Sequence, residues 1–164
     1  EKAYVGYSPI IGMDAEKILT DFPDGHIIHV VRNPYSAFAD TKKRPVPYGL
    51  NKYIHIWNMV QFSALTSAKL FPNNFHIVKF EDLVANPKAF FTKLTKKLGI
   101  NYANTLEYPS WNGRKLEVLV PWGTVMTPTA QANLMTKKEL SKKEQDEIKL
   151  RTAEITKILE YENL

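Results

Sequence analysis

Two short runs of β-branched and aromatic residues predict the strands of this chain. They are His26-Ile27-Ile28-His29-Val30-Val31 and Phe75-His76-Ile77-Val78-Lys79-Phe80. Each run follows turn residues and is too short for a buried helix. The first run is rich in β-branched residues, which is typical of a central strand that is buried on both faces. We therefore predict strands over residues 26–31 and 75–80.

Apolar residues at helical spacing predict helices before, between and after these strands. Asn86-Pro87 is an N-cap followed by a proline at the first helical position, and Gly99 ends that helix. Ser141-Lys142-Lys143-Glu144 is a capping box that begins a terminal amphipathic helix. The predicted helices cover about 14–19, 34–43, 51–70, 86–98 and 141–160.

Residues 101–136 contain scattered prolines and glycines with little periodicity, which predicts a long irregular loop. Elsewhere the strands alternate with helices, and this order favours an α/β layered domain with a parallel sheet. A chain of 164 residues is long enough for one hydrophobic core but not comfortably for two. We therefore predict a single domain over 1–164.

Charge and cysteine content narrow the classes of function. The formal net charge of +5 favours an anionic partner, with nucleic acid, anionic membranes and phosphorylated small molecules all compatible. The sequence has no cysteine, which excludes disulfides, thiolate metal sites and cysteine nucleophiles. No apolar run approaches the roughly 20 residues that span a bilayer, and no signal peptide is recognisable. We expect no membrane segment and a cytoplasmic location.

Arg32 is the first candidate site residue, because it follows the first predicted strand. Ligands of open α/β sheets bind at the carboxyl ends of the strands. A helix N-terminus and the hydroxyls of Ser36 and Thr41 lie beside Arg32 in sequence, and this set suits a phosphate. An arginine that pairs with a carboxylate to tie strand to helix explains the same pattern equally well.

Two further segments carry charged residues next to an aromatic one. Phe80-Glu81-Asp82 follows the second strand, and we favour a structural role for its carboxylates over acid–base work. Trp111-Asn112-Gly113-Arg114-Lys115 lies in the long loop and is either a solvated turn or a cover for an anionic ligand. The sequence has no Walker loop, no Gly-x-Gly-x-x-Gly motif and no metal-ligand spacing. We therefore expect no metal, and no main phosphate cradle within this chain.

Two of these segments resemble a known family. Phe22-Pro23-Asp24-Gly25-His26-Ile27-Ile28-His29-Val30-Val31-Arg32-Asn33-Pro34 is similar to a segment of the sulfotransferases that depend on 3′-phosphoadenosine 5′-phosphosulfate (PAPS). Phe80-Glu81-Asp82-Leu83-Val84-Ala85-Asn86-Pro87-Lys88 resembles a second segment of the same enzymes, in the same order. The resemblance covers residues 8–100 well and the remainder loosely.

The resemblance implies a P-loop-kinase-like fold, with a parallel sheet flanked by helices, that moves a sulfuryl group from PAPS to a hydroxyl or amine. It implies that Arg32 holds the 3′-phosphate of PAPS, that Phe80 lies near the adenine, and that Arg114 and Lys115 cover the 3′-phosphate. The family's usual serine partner of the arginine corresponds to Asp40, so Ser36 or Thr41 replaces it, Asp40 binds the ribose, or the site is used differently.

The family's phosphosulfate-binding loop would lie before Glu1. We accordingly expect an incomplete domain that carries the 3′-phosphate and adenine half of the site and has no turnover by itself. The catalytic base and the acceptor are not readable, so small-molecule, glycan and lipid acceptors all fit, and we expect no nucleic-acid partner. The alternatives are a non-catalytic anion- or nucleic-acid-binding module and a relative of the nucleotide kinases.

Overall fold

The computed structural model describes residues 5–8, 11–120, 123–125 and 127–161. Within them the chain forms seven α-helices, six strands and three short 3-10 helices. The helices are α1 (Ala15–Asp21), α2 (Pro34–Lys42), α3 (Leu50–Leu70), α4 (Phe80–Ala85), α5 (Pro87–Leu98), α6 (Ala130–Met135) and α7 (Lys142–Ile158). The strands are β1 (Ile27–Val31), β2 (Phe75–Lys79), β3 (Ser110–Trp111), β4 (Arg114–Lys115), β5 (Val118–Val120) and β6 (Gly123–Val125).

The mixed α/β architecture is built around a small parallel sheet. Strands β1 and β2 pair in parallel, with Ile27 opposite Phe75 and Val31 opposite Lys79. Both strands therefore end at the same edge, where β1 leads into α2 and β2 leads directly into α4. This edge carries the candidate site.

The hydrophobic core lies mainly between the sheet, α2, α3 and α7. One buried cluster joins Val31, Phe38 and Trp57 to Ile148 of α7. A second cluster, which includes Ile27 and Phe75, packs α1 and α3 against the start of the sheet. In the described parts of the chain, no helix is long and apolar enough to span a membrane.

Local signals placed the main elements to within a few residues. The structure confirms both strands of the parallel pair and the helices that begin at Pro34, at Pro87 after the Asn86 cap, and after the Ser141 capping box. Helix α4 was not predicted. Its first residue, Phe80, was assigned to the strand because of its β propensity.

The stretch 101–136, expected to be an irregular loop, contains two hairpins and helix α6 instead. The β3–β4 hairpin turns at Asn112-Gly113, where both residues have positive φ angles of 49° and 77°. Asn-Gly is the preferred pair for this type of tight turn, so the sequence carries a local signal for this hairpin. Residues 121, 122 and 126 lie outside the described part.

Candidate functional site

Arg32 lies at the shared carboxyl edge of the parallel strands, where the sequence predicted it. Its Nη1 donates to Asp40 Oδ2 at 2.5 Å, and its Nε donates to Asn133 Oδ1 at 2.6 Å. The guanidinium carbon lies 5.1 Å from the centre of the Phe80 ring, within the range of a cation–π contact. The Arg32 side chain keeps 23% exposure, so solvent still reaches it. In the described part of the chain, Nη2 has no hydrogen-bond partner.

Asn33 fixes the turn between Arg32 and α2. Its side-chain oxygen accepts a hydrogen bond from the Ser36 backbone N–H at 2.8 Å, which caps the helix, and Pro34 occupies the first helical position. The Asn33 cap and Pro34 are both local signals, so the sequence itself starts α2 immediately after Arg32. The guanidinium is thereby held beside the N-terminal end of a helix.

Glu81 is the hub that joins the ends of β1 and β2 to more distant parts of the chain. Its Oε1 accepts hydrogen bonds from the Asn33 backbone N–H at 3.1 Å, from Asn33 Nδ2 at 2.7 Å and from Asn133 Nδ2 at 3.0 Å. Its Oε2 accepts a hydrogen bond from the Tyr161 hydroxyl at 2.6 Å. The geometry agrees with the structural role that we favoured for this carboxylate.

The electrostatics of Glu81 follow from these contacts. Burial by itself would raise its pKa, but the hydrogen bonds from Tyr161, Asn33 and Asn133 stabilise the charged form and lower its pKa overall. Burial and the same carboxylate raise the pKa of Tyr161. Glu81 therefore stays ionised and Tyr161 stays neutral near pH 7, so Glu81 serves as an acceptor and not as a proton donor.

Ser36 and Thr41 lie on α2, the helix that follows Arg32, and both face inward. The Ser36 hydroxyl is buried and donates to the Asn133 backbone carbonyl at 2.6 Å. The Thr41 hydroxyl is also buried and donates to the Ala37 carbonyl within α2 at 2.9 Å. Each hydroxyl proton is thus used by the protein, and the Ser36 bond holds α6 against the start of α2.

Asp40 is the counter-ion of Arg32. Lys43 also approaches Asp40 at 3.4 Å and pairs with Glu139 at 2.9 Å. The ion pair that the sequence left as one explanation for Arg32 is therefore present. It occupies Nη1 and leaves the exposed side of the guanidinium open, so it does not exclude a ligand.

Arg114 and Lys115 form the exposed strand β4. Lys115 pairs with Glu117 at 2.7 Å. Among the residues that the structure describes, no hydrogen bond or ion pair joins this hairpin to Arg32. The structure thus brings Arg32 into contact with Asp40 and Phe80, and Ser36 joins them through Asn133. The Thr41 hydroxyl bonds within α2, and in the described part of the chain no hydrogen bond or ion pair links Arg114 or Lys115 to this group.

Sequence reasoning missed two members of this site, Asn133 and Tyr161. Asn133 belongs to the short helix α6, whose start is capped by Thr129. Tyr161 follows α7 and also donates to the Val31 carbonyl at 3.3 Å. Both reach Glu81 from far along the chain, and no local pattern marks either residue.

Comparison with known families gives one finding. A family model described as the sulfotransferase family matches residues 1–104, more than half of the chain. The matched range contains Arg32, Asp40 and Phe80 and ends before the β3–β4 hairpin. No curated protein matches the chain significantly. No solved structure does so either.

Proposed function

The chain belongs to the sulfotransferase family, and we propose that it takes part in the transfer of a sulfuryl group from PAPS to a hydroxyl or amine acceptor. In this proposal the edge of the sheet at Arg32 binds the 3′-phosphate and the adenine of the donor, within a P-loop-kinase-like arrangement. The observation that carries the proposal is the partly exposed guanidinium of Arg32, held at the carboxyl end of β1 against the Phe80 ring.

The residues at this edge suit a phosphate and a flat ring. Arginine binds phosphate oxygens through parallel N–H donors, and Nη2 and the exposed side of the guanidinium remain for that role. The face of an aromatic ring such as Phe80 stacks on a nucleobase without regard to its identity. We propose that Arg32 neutralises the 3′-phosphate and so orients the nucleotide, without touching the sulfuryl group.

Asp40 is the member of the site that opposes this role, because a carboxylate repels a phosphate. We propose that Asp40 turns to a ribose hydroxyl as a hydrogen-bond acceptor when the nucleotide binds. Ser36 and Thr41 remain candidate ligands, although their present hydrogen bonds favour a positioning role. Arg114 and Lys115 would need their hairpin to close over the 3′-phosphate. The acceptor, whether a small molecule, a glycan or a lipid, is left open by this part of the site.

The experiment is calorimetric titration with adenosine 3′,5′-bisphosphate, with ADP as the comparison that lacks a 3′-phosphate. We expect the bisphosphate to bind more tightly than ADP. Arg32→Ala should weaken its binding about ten- to a hundredfold, the value of a charge-assisted hydrogen bond. Asp40→Asn keeps the shape of the side chain but removes its charge, so it should tighten binding. Arg44→Ala, an exposed arginine just after α2, serves as the matched control.

Equal binding of both nucleotides, or no change in Arg32→Ala, would contradict the proposal. Equal binding with an intact response to Arg32→Ala favours a relative of the nucleotide kinases. Binding that ignores Arg32 altogether favours a general anion-binding module.

A further inference from the structure

A cleft of about 590 Å³ lies between strand β2 and helix α5. His76 is in register with Ile28, and Arg32 lies four residues beyond Ile28, so about 13 Å of strand separates His76 from the level of Arg32. The His76 end of the cleft is thus distinct from the nucleotide edge, whereas its other end reaches the carboxyl end of β2. Its lining includes His76 and Val78 from β2 and Phe90, Lys93, Leu94 and Lys97 from α5.

His76 lines this cleft and has one buried polar atom without a partner among the described residues. The residue is only 3% exposed. Its Nε2 lies 3.0 Å from His26 Nδ1, and the two rings are stacked with centroids 5.2 Å apart. Its Nδ1 is buried and has no hydrogen-bond partner among the described residues. A buried polar atom without a partner costs stability, so its retention calls for an explanation.

Positively charged side chains lie near the His76 end of the cleft. Helix α5 starts at the carboxyl end of β2, after α4, and returns toward the beginning of the strand, which brings its last turn near His76. Burial lowers the pKa of His76, and the charges of Lys97 and His26 lower it further. Lys93 is one helical turn before Lys97 and lines the same cleft.

The carboxylates of the cleft belong to its other end. Asp82 and Glu160 line it close to the carboxyl end of β2, where Glu160 pairs with Lys79 at 3.4 Å. In the described ranges, neither Lys93 nor Lys97 has a salt-bridge partner. The end at His76 therefore combines a buried ring nitrogen with Lys97, and Lys93 lies one helical turn away. The carboxylates among the described lining residues lie at the other end of the cleft.

We propose that this end of the cleft binds the oxyanion of a phosphate or sulfate ester. The oxyanion accepts a hydrogen bond from His76 Nδ1 and is attracted by the positive charges of Lys93 and Lys97. In the corresponding tautomer, His76 carries its proton on Nδ1, and Nε2 accepts the hydrogen bond from His26. The partly buried side chains of Phe90 and Leu94 offer apolar contact to the organic group of the ester. The site lies outside the proposed nucleotide edge and does not depend on it.

The test is a titration of the whole chain with phenyl phosphate and with phenyl sulfate, followed through the imidazole nitrogen resonances of His76. We expect the Nδ1 resonance to move with saturation. The Lys93→Gln/Lys97→Gln double variant should bind at least tenfold more weakly, because it removes two charge-assisted contacts. Lys96→Gln, a change on the same helix outside the cleft, should bind as the unchanged protein does.

The two esters distinguish the source of the oxyanion, because the ester that binds more tightly indicates whether the site prefers phosphate or sulfate esters. Acetate at the same concentration is the comparison for a general anion. The proposal is overturned if His76 does not respond to either ester, if acetate binds as well as they do, or if the double variant and Lys96→Gln bind alike. Both lysines are exposed, so circular dichroism should show an unchanged fold in all variants.

Discussion

Replacement of Glu81 by alanine removes the acceptor of four hydrogen bonds that join α4 to Asn33 at the start of α2, to Asn133 of α6 and to Tyr161. Each hydrogen bond to a charged group contributes about 1.5–3 kcal/mol, but the burial cost of the carboxylate disappears with it, and water partly refills the space. We therefore expect a loss of about 3–5 kcal/mol in the free energy of unfolding. For a chain of this size, that corresponds to a drop of about 6–20 °C in Tm.

Glu81→Gln separates charge from shape. A glutamine oxygen can still accept from Asn33 and Asn133, while its amide donates to the Tyr161 oxygen. We expect it to cost about 1–2 kcal/mol, clearly less than alanine. The neighbouring change Asp82→Ala is the matched control. Asp82 is exposed, and its side chain has no hydrogen bond within the described ranges, so its removal should change stability by less than about 0.5 kcal/mol.

Urea unfolding at several pH values gives the second measurement. Because the folded pKa of Glu81 is lowered, its ionisation contributes stability above the unfolded pKa of about 4.3 and loses it as pH falls through the folded value. The difference in free energy of unfolding between the unchanged protein and Glu81→Gln should be largest at pH 7 and should disappear below about pH 4.3. A difference in free energy of unfolding that stays constant across this pH range would refute the reasoning, as would equal losses of stability in Glu81→Ala and Asp82→Ala.

Two further predictions concern stability. Burial lowers the pKa of His29, although the hydrogen bond that its Nε2 donates to Gln61 Oε1 raises it. The unfolded state therefore takes up a proton first, and the free energy of unfolding should fall as pH drops below about 6.5. His29→Gln should show a smaller fall in urea unfolding between pH 7.5 and 5.5. Ser141→Ala removes the side chain that accepts from the Glu144 N–H at 3.3 Å, so it should cost about 1 kcal/mol, seen as a Tm about 2–4 °C lower.

The sequence predicted those parts of the fold that short-range chemistry decides. The Asn86-Pro87 start, the Gly99 end and the Ser141 capping box each act within one turn of helix, so their meaning does not depend on distant residues. Helix α4 was not predictable in this way, because it is short and no side chain caps its start. Its position depends instead on Glu81, whose partners are Asn33 at the start of α2, Asn133 of α6 and Tyr161.

The site shows the same contrast between residues placed by local signals and residues placed by distant contacts. Arg32 and Phe80 follow strands that pair in parallel, and parallel strands end at one edge, so their proximity followed from the predicted strands. Asn133 reaches Arg32 across 101 positions of sequence, and Tyr161 reaches Glu81 across 80. Such contacts arise only when the whole core has packed, and no pattern within a window of residues encodes them.

The pairing of Arg32 with Asp40 bears on how selective the proposed nucleotide edge can be. Both partners are partly exposed, at 23% and 41%, so the pair itself contributes only about 0–1 kcal/mol. A singly charged ligand gains little by displacing a carboxylate of equal charge. A phosphate carries more charge and more acceptor oxygens, and it engages the planar guanidinium through two parallel hydrogen bonds, which are worth more than the pair it replaces. If this edge binds the nucleotide as proposed, we therefore expect Asp40 to weaken phosphate binding without abolishing it and to discriminate against simple carboxylates.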